Sequence, residues 1–314
     1  MYLKLVLTGC ILAFIAVVLS AYVRLADAGL GCADWPACYQ SNALKERQSL
    51  QANANQGYTT WQRKLHSQVV MLMGFLSVAI SGLAWLKRKE LRQSPLLPSL
   101  LTGLMVFLAV FGIWAFSHLP RAIIVPVHLG GGMLMLIMLL WMLLRQIPHA
   151  DGIDSNHARQ WQFFSRLGLA LVIMQSLLGG WASANFAGIA CTDFPLCNGH
   201  LMPQMDFSYT LGNPGEPLAE TRLIAIHWLH RLGAIISLAY LIWLSATIMA
   251  HDKTKMIGII ILGLVVVQCA LGASNVLLGL PLAGAVLHNA VAMMLIAALV
   301  WLNFRLQYGA HHNV

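Results

Sequence analysis

Eight times along this chain there is a run of roughly 20 mostly apolar residues, the length that carries an α-helix across the hydrocarbon of a bilayer. The runs fall at about 4–23, 66–86, 96–116, 122–144, 163–183, 223–249, 256–278 and 282–304. Lipid offers the backbone no hydrogen bonds, so each run closes its own as a helix. The runs are continuous rather than alternating, which argues against a β-barrel. With only 10% charged residues against 59% hydrophobic, the chain is too apolar for a water-soluble domain of this size. An all-α integral membrane protein of eight transmembrane helices is the expected fold.

Orientation follows from lysine and arginine, which concentrate on the cytoplasmic side. With the N-terminus inside, the inner loops and ends hold Lys4, Lys87, Arg88, Lys89, Arg92, Arg145, Arg159, Arg166, Lys253, Lys255 and Arg305. The outer side holds Asp34, Asp193, Asp206, Glu216 and Glu220. The net charge of +8 is thus a topology signal and does not point to nucleic acid. A multi-pass protein of an inner (cytoplasmic) membrane, in contact with lipid and with both termini cytoplasmic, is expected. The first run resembles a secretory signal, with Lys4 before it and Ala26-Asp27-Ala28 behind it. It is long enough to span and has a counterpart in the second half, so it is expected to stay.

That counterpart belongs to an internal repeat. Cys32 and Cys38 are matched by Cys191 and Cys197, 159 residues later. His66 is matched by His230 at an offset of 164, and His128 by His288 at 160. Gly112 and Gly272, and Pro120 and Pro281, keep nearly the same offset. The cysteine segments share the pattern Cys-x-Asp-aromatic-Pro-x-Cys. Each repeat has four spans, an even number, so both halves enter from one side as a parallel repeat about an axis along the membrane normal. Two pseudo-two-fold related four-helix bundles are expected, residues 1–150 and 151–314.

The four loop cysteines lie on the outer side, where disulfides persist. Each pair can close locally, for around 2 kcal/mol by loop closure. A zinc site and a redox role for one pair are the alternatives. Cys10 and Cys269 fall inside spans as packing residues.

Histidine within a span points to function. His149, His157, His251, His311 and His312 belong to inner loops or the tail and are expected to be solvated, and His118 and His200 fall in outer loops. The rest cluster: His66, His128, His230 and His288 begin the even-numbered spans, which run from outside to inside. All four therefore sit at one depth near the outer face, one pair per half. Two facing imidazoles bind haem iron axially, whereas core histidines need only a hydrogen-bond partner. Glycines beside them, Gly130, Gly131, Gly132 and Gly233, leave room for a flat macrocycle. Arg231, Arg24 and Arg222 near the same face are candidates to clamp carboxylates, with interfacial snorkelling as the alternative. His227, one turn before His230, is expected to line the same cavity.

At these residues the sequence resembles the haem A synthase family, membrane enzymes of cytochrome oxidase assembly. The resemblance runs over nearly the whole chain. It is carried by Tyr22-Val-Arg-Leu-Ala-Asp-Ala-Gly-Leu-Gly-Cys32-Ala-Asp-Trp-Pro-Ala-Cys38, by His128-Leu-Gly-Gly, by Gln175-Ser-Leu-Leu-Gly-Gly-Trp181 and by Cys191-Thr-Asp-Phe-Pro-Leu-Cys197. Ile226-His-Trp-Leu-His230-Arg231-Leu-Gly and Gln268-Cys-Ala-Leu-Gly272 leading to Leu287-His288-Asn289 complete it. The resemblance implies oxidation of the C8 methyl of haem O, through an alcohol, to the formyl group of haem A. It implies that His230 and His288 bind a resident haem b, and that His66 and His128 receive the haem O substrate as the catalytic pair. It also implies an electron acceptor and, as partners, the haem O synthase and cytochrome oxidase assembly factors. A homo-oligomer stays open.

Three residues depart from the family pattern, all in the first half. The family carries Glu three residues before the second-helix histidine and Arg just after it; here stand Arg63 and Ser67. Leu108 stands where Gln175 and Gln268 predict glutamine. An always-charged arginine cannot accept a proton as a carboxylate would, so a catalytically impaired haem-binding homologue is the alternative function. A b-type electron-transfer cytochrome is another, but it would favour haems at two depths.

Overall fold

The computed structural model describes residues 1–27, 61–91, 94–119, 121–147, 153–208 and 219–311. Cys32, Cys38, Asp34, Arg92, Pro120, His149, Glu216 and His312 lie outside them. Eight long helices are present among the described residues: α1 Tyr2–Asp27, α2 Trp61–Leu86, α3 Leu96–His118, α4 Arg121–Gln146, α5 Ser155–Ala184, α6 Glu220–Met249, α7 Asp252–Leu277 and α8 Leu282–His311. All eight contain a stretch long and apolar enough to cross a membrane. Several outrun the apolar segment read from sequence, because a helix ends at a cap rather than where the hydrocarbon ends. α5 begins eight residues before the expected 163, at an N-cap where the Asp154 carboxylate accepts the His157 backbone N–H at 3.1 Å.

In the first half α1 packs on α2 and α4, and α3 packs on α2 and α4. In the second half α5 packs on α6 and α8, and α7 on α6 and α8. Between the halves α4 meets α5, α1 meets α8, and α4 meets α8. Exchanging α1–α4 with α5–α8 maps this set of contacts onto itself, as expected of two related bundles sharing a two-fold seam. α8 is the most buried span and α3 the least. Val106, Phe107, Val110 and Ile113 on α3 turn outward, as residues facing lipid do. One apolar core continues through both halves, from Val6 and Met133 to Ile296 and Leu299. Polar anchors fasten α5 to its neighbours. The Asn303 amide of α8 donates to the Ser165 carbonyl at 3.1 Å, and the Tyr240 hydroxyl of α6 to the Phe164 carbonyl at 2.7 Å. Interhelical hydrogen bonds of this kind help hold membrane helices together.

One expectation at the inner end is corrected. His157 is not solvated: it is 6% exposed, and its ring stacks on His251 at 3.5 Å. The first turn of α5 lies against the residue that caps α7, so His251, itself exposed, covers the His157 ring.

Candidate haem-binding site

His230 on α6 and His288 on α8 line one cavity of about 350 Å³, in the size range of small-molecule sites. Their rings lie within electrostatic reach of each other. The two remaining helices of this half contribute matching pairs, Gln175 and Gly179 from α5, Gln268 and Gly272 from α7. Gln175 Nε2 stands 3.1 Å from His230 Nδ1 and donates to the His230 carbonyl at 2.8 Å. Gln268 Nε2 stands 3.2 Å from His288 Nε2. Turning a carboxamide over exchanges its nitrogen for its oxygen, so each glutamine can serve an imidazole as donor or acceptor. Gly233, one turn beyond His230, leaves space that the Gln175 side chain occupies.

Glycines set the rings' positions. A Cβ on Gly179 would lie 3.0 Å from His230 Cε1, and one on Gly272 3.3 Å from His288 Cε1. In the first half a Cβ on Gly112 would lie 3.0 Å from His128 Nε2. Three imidazoles thus rest against bare backbone, two of them at repeat-related positions of α4 and α8. Nδ1 of both His128 and His288 is buried without a hydrogen-bond partner. One buried, unpartnered imidazole nitrogen thus stands in each half, and an unpartnered imidazole nitrogen in a cavity fits an axial ligand of haem iron.

The first half is built less completely. A cavity of about 240 Å³ is lined by His128, Gly112, Ser20, Arg24 and apolar neighbours. His66 is not part of that lining. Phe111 flanks the His128 ring at 5.5 Å. Leu108, at the position of Gln268, presses on the Gly131 backbone, so an apolar contact stands where the second half has an amide beside its histidine. Arg63 and Ser67 are both exposed.

The second-half cysteines form a disulfide, Cys191–Cys197, which decides against zinc for this pair. Its loop is gripped by the N-terminal part of α6. Arg231 lines the cavity, yet its guanidinium donates to the carbonyls of Leu196 at 2.6 Å, Asp193 at 2.9 Å and Cys191 at 3.3 Å. His227 lines the cavity and accepts the Cys191 N–H at 3.3 Å, and Trp228 donates to the Leu201 carbonyl at 3.1 Å. The loop in turn places Phe194 and Pro195 on the cavity wall. Asp193 accepts the backbone N–H groups of Gly199 and Asn198, which together with Arg231 hold its carboxyl below the usual range. Asp206 is held down to about 2 by hydrogen bonds from Ser208 and by the Arg222 guanidinium at 2.9 Å. Arg222 is therefore an ion-pair partner of a loop acid. Sequence assigned no role to Gln175 and Gln268; the Gln-x-x-x-Gly spacing they share with Gly179 and Gly272 was the signal.

Residues 4–300 match the family described as cytochrome oxidase assembly protein. The chain belongs to this family. It is 31% identical over 306 residues to the heme A synthase of Shewanella oneidensis, with 92% of each chain covered. It is 25% identical to the heme A synthase of Nitrosospira multiformis, covering 95% of this chain and 91% of the relative. A third heme A synthase, from a Caulobacter species, is 25% identical with 91% and 90% covered. The family match takes in both halves and all four repeated histidines.

Proposed function

We propose that this protein is a haem A synthase, an oxidoreductase that converts haem O to haem A by oxidising a ring methyl to an alcohol and then to a formyl group. The observation that carries this is a histidine pair in each half of a chain from this family, with His128, His230 and His288 each seated on a glycine backbone. Written with water as the oxygen donor, the methyl oxidation and the alcohol oxidation each release two electrons and two protons, and the electron acceptor takes up the four electrons.

His230 and His288 are proposed to hold a resident haem b, and His66 and His128 to receive haem O. A bis-histidine haem b supplies one-electron redox chemistry when bound. Gln175 and Gln268 orient the two imidazoles, and an oriented imidazole is a better ligand. The disulfide loop closes the outer wall through Phe194 and Pro195, which limits water at the cavity. The proposed setting is an inner membrane with both termini cytoplasmic and the histidines toward the outer side. Haem O synthase, assembly factors and an electron acceptor are the partners this activity needs.

The test is expression beside a source of haem O, followed by chromatography of extracted haems. Haem A is expected from the wild type and not from His66→Ala or His230→Ala. Haem O alone, extracted from folded, haem-loaded wild type, overturns the proposal. Arg63 and Ser67 beside His66 favour one second possibility, a haem-binding homologue without the oxidase step. In that case Arg63→Glu raises haem A from none; an unchanged, robust wild-type yield excludes it.

A further inference from the structure

Among the described residues, the lining of the cavity that contains His230 and His288 includes two arginines, Arg24 and Arg231, and no acid. Toward the middle of the helices its wall is apolar, with Val172, Leu241, Val265 and Leu295. At the end where α7 turns into α8 the wall carries a polar residue, Asn275, in the last turn of α7. Gln268, Gly272 and Asn275 are spaced by four and three residues, so they share one face of α7. Gln268 meets the His288 ring, Gly272 seats it, and Asn275 lies nearly one turn closer to α8 in the chain. By the offset of Gly112 and Gly272, its counterpart in the first half is Ala115, fully buried and without a polar side-chain group.

Asn275 is 7% exposed, and its Oδ1 is buried without a hydrogen-bond partner. That oxygen lies against Gly284, one turn before His288 on α8, at 2.6 Å from where a Cβ on Gly284 would stand. A carboxamide carries two N–H donors beside its oxygen, and turning it over exchanges the two ends. Leaving such a group unpaired inside a protein is costly, so an amide in a cavity wall fits a ligand that pairs with it. The charge of the lining selects the ligand: two guanidiniums and no carboxylate suit an anion. A flat ligand held at its centre by the two imidazoles brings its rim to this turn, about 5 Å along α7 from the Gly272 seat.

We propose that Asn275 is a cofactor-binding residue, its amide donating a hydrogen bond to a carboxylate on the rim of the porphyrin held by His230 and His288. The acid edge of the porphyrin is thereby fixed at the turn between α7 and α8, and its apolar edge points toward Val172, Leu241, Val265 and Leu295. This rests on the haem reading of the cavity. Ala115 offers no such donor, so the contact belongs to the second-half site alone.

The experiment loads the full chain, purified haem-free, with haem b or with its dimethyl ester, which keeps the ring but has no free carboxylate, and follows release to a scavenging apoglobin. The phase that His230→Ala removes reports the second-half site. Asn275→Ala puts the first-half residue in place and is expected to speed release of haem b in that phase about tenfold or more, the loss of a hydrogen bond to a charged group. Asn275→Asp keeps the shape but sets an acid against an acid, and should speed it further. With the ester both variants should release at close to the wild-type rate; a merely structural role would loosen the two ligands alike. An unchanged haem b rate in Asn275→Ala, equal acceleration of the ester, or equal acceleration of the first-half phase overturns the contact while leaving the haem reading intact. A folded wild-type chain that takes up no haem overturns both. If Asn275→Ala does not fold, Asn275→Asp decides on the same comparison: haem b accelerated no more than the ester overturns the contact.

Discussion

At the scale of single residues, the imidazoles are placed by what is missing beside them. Gly272 and Gly263 share α7 but differ in surroundings. A Cβ at Gly272 meets the His288 ring, while one at Gly263 meets nothing within 4 Å. Gly272→Val is therefore expected to push the His288 ring off its seat and to lower the haem-to-protein ratio of the purified chain at least several-fold. Gly263→Ala should leave that ratio alone and raise helix stability by up to about 1 kcal/mol. Equal haem loss from both would remove the seat from the account. His128 and His288, with Gly112 and Gly272, were legible in sequence because duplication writes them twice; Gly179, with Ser20 at its offset, was not, and Gly130, Gly131, Gly132 and Gly233, expected to leave room for a macrocycle, face Leu177, Leu108, Val17 and Gln175 instead. Arg231 was legible as a cation near the site, but its occupation was not. The carbonyls that hold it lie 35 to 40 residues away, and nothing local announces them. His157 misled for a related reason: its cover is a histidine nearly a hundred positions on.

At the scale of elements, α6 and the loop behind α5 act as one unit. His227, Trp228 and Arg231 hold the loop, and the loop completes the cavity wall. Replacing Cys191 and Cys197 by serine should lower stability by about 2 kcal/mol through the freed loop. Arg231→Gln should weaken the same segment from the other side, since hydrogen bonds from a charged donor exceed neutral ones. Limited proteolysis within 192–200 reads both, and faster cutting is expected in each variant with the helices intact. Cutting at the wild-type rate in Arg231→Gln would show that its three carbonyl contacts do not restrain the loop. The Asp206–Arg222 pair adds a pH dependence of known sign. The carboxyl is held at about 2 against an ordinary 3.8, so its stabilising effect is complete above about pH 5. That effect is lost as pH falls from about 4 through about 2. The melting difference between wild type and Asp206→Asn should be constant near neutrality and shrink across that acid window. A difference that grew on acidification would contradict the pairing. Helix count was readable from apolar length alone, whereas helix ends were not. Caps such as Asp154 and turns such as Gly279-Leu280, both at positive φ, set the ends, and hydropathy does not register them.

At the scale of the whole molecule, the seam explains why the repeat is not symmetric in chemistry. α1, α4, α5 and α8 meet there, and Arg24 of α1 lines both cavities. Outward parts carry the differences between the halves, including Arg63 and Ser67 on the exposed start of α2. Two-fold arrangement and even span number were both open to a reader of the sequence; the meeting of the two cavities at one α1 side chain was not, since it depends on how the bundles dock. The even number carries the last prediction. Four spans per half return the chain to its starting side, so both termini share one compartment, which the proposed orientation makes the cytoplasm. A fluorescent protein fused after the C-terminus should fluoresce, because it folds in the cytoplasm and not after export. A periplasmic phosphatase fused after Phe207 should be active, because that loop follows five spans. An active phosphatase at the C-terminus, or an inactive one after Phe207, would turn the histidine ends inward. The same orientation puts the Cys191–Cys197 disulfide on the oxidising side of the membrane, where such a bond persists.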